Sequence, residues 1–215
     1  MGRDDWFRRA AWKDADRKEF HARLRRSRGR FQKAQYLRIQ AYHLAEAGLH
    51  GAAIELLDQM LGEFPENSEL AAAHLQRAEC LATLGRLDSA IDGFRAALHA
   101  ERAVPQWRTN AWVDFGWFVV QTGLTDLYDE VLSLLGEFRV EAGLTFPNIE
   151  YRYYAIQAII ADARGERSSA HEFAVQALAE ASKEHSGLRY HPKLGLVGSQ
   201  PNWIEKKLGS LASGT

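Results

Sequence analysis

The chain has 215 residues, of which 46% are hydrophobic and 26% charged, and its formal net charge is −1. These are the values of an ordinary globular protein, with enough chain to bury a large core unaided. A lone cysteine, Cys80, excludes an internal disulfide and fits a reducing cytoplasm, and no window approaches the ~18 apolar residues that a membrane span requires.

The charge is uneven. Residues 1–38 carry 13 Arg or Lys against 5 Asp or Glu, and the remainder carries 14 against 23. The opening stretch, MGRDDWFRRAAWKD, has no apolar run of the kind a secretory signal needs, so none is expected. A basic arm is expected over 1–30, with a helix over 14–27. Phe20 and Leu24, four residues apart, would face the body, leaving Arg17, Lys18, Arg23, Arg25 and Arg26 on the outer faces. Trp6, Phe7 and Trp12 would anchor the arm. A basic arm on an acidic body either docks on that body or recruits an acidic partner or nucleic acid.

Four glycines then punctuate the chain in similar settings: AEAGLHGAAIELL, ATLGRLDSAIDGF, VQTGLTDLYDEVL and ADARGERSSAHEF. They are Gly48, Gly85, Gly123 and Gly165, spaced by 37, 38 and 42 residues. Each follows one apolar run of helical period and precedes another, where a glycine with φ > 0 ends a helix sharply. Around Gly85 the expected stripes are Leu75, Ala78, Leu81, Ala82 and Leu84 before the turn, and Leu87, Ala90, Ile91, Phe94, Ala97 and Leu98 after it. Helices joined by so short a turn must lie antiparallel. The predicted helices are 31–47, 50–63, 68–84, 87–101, 106–122, 125–142, 148–164 and 167–185, with Pro65, Pro105 and Pro147 at boundaries. A Gly/Pro-rich loop follows over 186–200, and a short terminal helix over 201–212.

Gly85 followed by Ala90, Phe94 and Ala97 resembles the second half of a tetratricopeptide repeat. Gly48, Ala53, Leu57 and Pro65 resemble the same motif, Trp112, Phe115 and Gly116 resemble its first helix, and Gly165 with Ala170 matches more sparsely. The resemblance covers roughly residues 34–182. It implies an all-α solenoid of about four helix–turn–helix units over 31–185, flanked by the basic helix and by a C-terminal loop and short capping helix over 186–215. The family repeat is 34 residues, so the spacings here are longer, and Tyr128 stands where an alanine is expected.

The resemblance also implies a groove lined by the first helix of each pair. Its positions here would be Arg38, Tyr42, Leu75, Glu79, Asn110, Trp117, Arg152 and Ile159. Arginine offers a planar fork of donors for carboxylates, and Tyr42 and Trp117 offer rings for stacking. Trp117 and Tyr153 read as interface candidates, Trp112 and Phe115 as core. In the 186–200 loop, Arg189, Tyr190, His191 and Lys193 form a second candidate cluster, with Leu194, Leu196 and Val197 expected to pack back on helix faces. Nothing carries metal-ligand spacing or a catalytic pattern, so no cofactor, metal site or catalytic residue is expected. Cys80, among Ala78, Leu81 and Ala82, reads as a buried inert thiol. The reading is a cytoplasmic module that binds a protein or peptide of acidic character. A nucleic-acid-associated protein using the basic arm is the alternative. A monomer is expected provided that Trp117 and Trp203 are covered.

Overall fold

A computed structural model describes residues 5–66, 68–141 and 145–214. The described residues form ten α-helices and two short 3-10 turns, with no strand. The helices are α1 (Asp14–Arg26), α2 (Arg30–Glu46), α3 (His50–Glu63), α4 (Leu70–Thr83), α5 (Leu87–Ala103), α6 (Ala111–Thr122), α7 (Tyr128–Glu141), α8 (Pro147–Ala163), α9 (Arg167–Ala181) and α10 (Asn202–Ser213). They divide between two compact units, Met1–Ala111 and Trp112–Thr215.

The four predicted glycine turns are built alike. Gly48, Gly85, Gly123 and Gly165 all have φ between 69° and 76°. The residue after each one donates its N–H across the turn to the carbonyl five residues back: Leu49 to Leu44, Arg86 to Leu81, Leu124 to Val119 and Glu166 to Ala161, at 2.8–3.1 Å. Gly48, Gly85 and Gly165 add a second bond, to the carbonyl three residues back. This is the Schellman arrangement, which satisfies carbonyls that a helix end would otherwise leave open.

In the first unit, α2 packs on α3 and α4 on α5, with α3 against α4. Phe94, Leu57, Leu37 and Met60 are at most 2% exposed, each contributing roughly 1.5–3 kcal/mol by burial. The helices of the second pair meet through small residues. A Cβ on Gly93 would lie 2.9 Å from that of Ala78. The far end of the α2/α3 pair is tied by Arg30, whose guanidinium donates to the Glu63 carbonyl at 3.1 Å and lies over the Phe64 ring, so a cation caps the C-terminus of α3.

In the second unit α8 and α9 form the tightest pair. Gly116 of α6 lies where a Cβ would come within 3.0 Å of both Val131 of α7 and Ile156 of α8. Helix α10 buries Ile204 and Leu208 against α9 and α8. The Leu211 carbonyl meets His171 Nδ1 at 3.0 Å, and Lys207 pairs with Asp162.

Most predicted boundaries fall within two or three residues of those observed. Three differ for local reasons. Helix α6 starts at Ala111, not near 106, because residues 104–110 form an irregular connection after Pro105. A 3-10 turn over Thr125–Leu127 precedes α7, whose first residue is the buried Tyr128; the predicted end of that helix, at 142, lies outside the described residues. Helix α9 stops at Ala181, so 182–185 belong to the loop.

Gly85→Ala places a side chain at φ +71° and is expected to destabilise by about 1–2 kcal/mol in urea unfolding. Gly136→Ala, inside α7 with open space around it, should stabilise by about 0.4–1 kcal/mol. Gly93→Ala should cost about 1–3 kcal/mol by forcing α4 and α5 apart.

Candidate binding surfaces

The N-terminal segment is held to the first unit by an amide clamp. Gln40 of α2 is fully buried; its Oε1 accepts from the Arg9 N–H at 3.0 Å and its Nε2 donates to the Arg9 carbonyl at 2.7 Å. Around this clamp Trp6, Phe7, Phe20 and Tyr36 stack with ring centroids 4.6–5.4 Å apart, and Trp12 meets Phe20 at 5.4 Å. The Arg9 guanidinium reaches Asp16 at 3.0 Å and Glu19 at 2.5 Å. Asp16 also accepts the Lys13 N–H at 2.9 Å, fixing the start of α1. Phe20 and Leu24 are buried as the sequence predicts, and Arg17 pairs with Glu55 of α3.

The predicted groove positions of the first unit are placed differently from one another. Arg38 is engaged in an ion pair with Glu69, which is 9% exposed at the start of α4. It therefore joins α2 to α4 and does not stand open as a fork for a ligand. Tyr42 is 47% exposed, with its ring 5.4 Å from that of His43. Glu79 is exposed on α4 and Leu75 is half-buried.

Asn110 is exposed in a connection pinned from both sides. Glu101, 2% exposed, accepts from the Thr109 N–H at 2.9 Å and from its hydroxyl, and Thr109 Oγ1 accepts the Ala111 N–H at 3.1 Å. Burial pushes the Glu101 carboxyl above its usual range, and the Thr109 bonds partly oppose this.

In the second unit Trp117 is 7% exposed, which corrects its reading as an interface residue. Its indole lies 6.0 Å from the Tyr151 ring, with the Arg152 guanidinium 5.5 Å from its centroid. Ile159 is likewise buried. Arg152 is ion-paired with Asp114 of α6, so it too holds helices together. Burial raises the Asp114 pKa, and Arg152 offsets this only in part. Trp112 and Phe115 are core, as expected. Tyr153 is half-buried between Trp112 and the Arg139 guanidinium, which lies 4.8 Å over its ring.

The C-terminal loop is folded on itself. Ser186 donates its N–H to the Pro192 carbonyl at 2.7 Å and its hydroxyl to the His191 carbonyl at 2.8 Å. Arg189, Tyr190, His191 and Lys193 all point outward, with Tyr190 79% exposed beneath Arg189. The loop docks through Gly195, whose carbonyl accepts the Asn148 N–H at 2.9 Å beside Phe146. Leu196 and Val197 are half-buried as expected, but Leu194 is 54% exposed. Trp203 is 45% exposed, so the condition attached to the monomer expectation holds for Trp117 and fails for Trp203.

Residues 44–109 match the model of the tetratricopeptide repeat family. That stretch is similar to a tetratricopeptide repeat. It spans α3, α4 and α5 with the turns that flank them, about a third of the chain. No curated protein and no solved structure matches the chain. Tetratricopeptide repeats are generally protein-interaction modules. Among the described residues no group of three or more His, Cys, Asp or Glu side chains is placed to hold a metal ion, and no helix is long and apolar enough to cross a membrane. Cys80 is buried, and burial with the nearby Glu79 pushes its thiol up to about 11.

Two residues that matter here, Gln40 and Asp114, were not singled out as site residues by sequence reasoning. Each was legible as a polar side chain in an apolar helical register, Gln40 between Leu37 and Leu44 and Asp114 between Ala111 and Phe118. Arg152→Ala would leave Asp114 buried without its cation. We expect a loss of about 2–3 kcal/mol at pH 8, below the ~3–5 kcal/mol of a fully buried pair because Arg152 is a third exposed. A raised folded-state pKa means that the native state holds the proton more tightly than the unfolded chain. The Asp114 contribution is therefore most favourable at low pH and is lost as pH rises through the folded value. The deficit of the variant should accordingly shrink on moving from pH 8 to pH 5 in denaturant melts.

Proposed function

We propose that the chain is a cytoplasmic protein- or peptide-binding module with no catalytic activity of its own, acting on a partner of acidic character. The observation that carries this reading is the tetratricopeptide repeat match at 44–109, together with the glycine turns at Gly123 and Gly165 that repeat its turn geometry after it. Helix pairs closed by tight turns present whole helix faces to solvent, and such faces suit recognition of an extended or helical segment. In the first unit Tyr42 and Glu79 stand exposed on α2 and α4. The Arg38–Glu69 pair holds these two helices in register. The buried, weakly acidic thiol of Cys80 suits a reducing compartment, where it stays inert.

The test uses affinity purification from a native lysate with the full chain and a Tyr42→Ala/Asn110→Ala variant. Both positions are exposed, so circular dichroism should be unchanged. The reading predicts at least one protein recovered with wild type and depleted about tenfold or more in the variant, the ratio that 1.4 kcal/mol of lost contact produces. Recovery of nucleic acid by both forms, seen in the 260/280 nm ratio and shed by salt, would replace this reading with the alternative one.

A further inference from the structure

Helix α1 carries more positive charge than its docking uses. It meets the body through Phe20 and Leu24, and among the described residues only Arg17 of its cations reaches a carboxylate there, Glu55 of α3. Arg23 pairs within the helix, with Glu19 at 2.8 Å. Lys18 and Arg25, and Lys33 on α2, make no ion pair among the described residues.

These cations converge on His21. Its ring lines two adjoining hollows, one of about 270 Å³ that reaches Lys33 of α2 and Glu63 of α3, and one of about 310 Å³ bounded by Arg17, Lys18 and Arg25. The imidazole is held on its inner side by the rings of Phe20 at 5.3 Å and Trp12 at 6.5 Å. Burial, Arg25 and Arg17 together lower its pKa, with Glu63 opposing them. The face is therefore a concave, largely cationic surface whose own carboxylates do not neutralise it.

We infer that this face of α1 docks an acidic segment of a partner protein, whose spaced Asp and Glu side chains reach Lys18, Arg25 and Lys33 around His21. The inference rests on the reading of the chain as a peptide-binding module and gives it a surface separate from Tyr42 and Asn110. Charge complementarity selects an anionic occupant, and two observations select peptide carboxylates over nucleic acid. Glu19, Glu55 and Glu63 are interleaved with the cations. Spaced carboxylates can avoid them, whereas duplex DNA, with one charge per ~1.7 Å of axis, cannot. Single-strand binding also draws on aromatic rings on which bases stack, and the rings of this arm, Trp6, Phe7, Trp12 and Phe20, are stacked on one another and on Tyr36.

The experiment measures fluorescence anisotropy of the full chain with two labelled probes at one ionic strength. One is a flexible Glu/Ser/Gly peptide with spaced glutamates, the other an oligothymidylate of equal net charge. The inference predicts that the peptide binds more tightly than the oligonucleotide. It also predicts that Lys18→Glu/Arg25→Glu weakens peptide binding about tenfold or more, while Arg26→Glu/Arg28→Glu, outside the hollows, weakens it by less than about threefold. Tighter binding of the oligonucleotide would overturn the inference in favour of nucleic acid. Equal losses in the two charge-reversal variants would overturn it in favour of unspecific attraction. Failure of the peptide to bind while the lysate partner is still captured would sink this surface and leave the binding-module reading standing. If the lysate partner is also missing, both fall.

Discussion

The structure depends on a left-handed glycine at the end of one helix in each pair. At Gly48, Gly85, Gly123 and Gly165 the chain must reverse within two or three residues, with φ near +70°, a region that side chains with a Cβ enter at a cost. The following N–H then reaches back five residues and closes the end of the helix. With that geometry fixed, the next helix has little choice of direction. It lies antiparallel to the first, and small residues such as Ala78 and Gly93 set how close the two come. Pairing, and therefore which helix faces are left to solvent, follows from four backbone positions.

Polar residues inside this framework each hold one element to another. Gln40 holds the N-terminal segment, Arg38–Glu69 joins α2 to α4, Glu101 holds the connection into α6, and Asp114–Arg152 joins α6 to α8. A buried polar group is tolerated when its partners are supplied, and it then selects one arrangement over near alternatives. The first unit shows the consequence for recognition. Gln40 and the aromatic cluster dock the arm and absorb its rings, which leaves the cations of α1 facing outward around His21.

The sequence carried the fold more plainly than the surfaces. Turn glycines and apolar stripes are local signals, set by φ and by helical period, so helix positions were readable to within a few residues over most of the chain. Helix starts after irregular connections were not, because the register of 104–110 is set by Glu101 and Thr109 and not by Pro105. Exposure was harder still. Arg38, Arg152 and Trp117 have the chemistry of ligand-binding side chains, and nothing within their own helices reveals that Glu69, Asp114 and Tyr151 meet them. Tyr42, Glu79 and Asn110 have the same kind of chemistry and stand exposed. The difference lies in long-range packing, which no periodicity encodes. The C-terminal cluster from Arg189 to Lys193 was legible as polar and irregular, and its outward projection follows from Ser186 tying the loop to itself.

Amide hydrogen exchange followed by NMR tests the turn geometry on which all of this stands. The N–H groups of Leu49, Arg86, Leu124 and Glu166 lie at turns that would ordinarily exchange fast, yet each is the donor of the bond that closes its helix end. The account predicts that all four are protected like neighbouring helical amides, and that Tyr190 in the exposed loop exchanges near the unstructured rate. If the four amides exchange as fast as Tyr190 while their helices stay protected, the helix ends are open, and the pairing of the helices must have another cause.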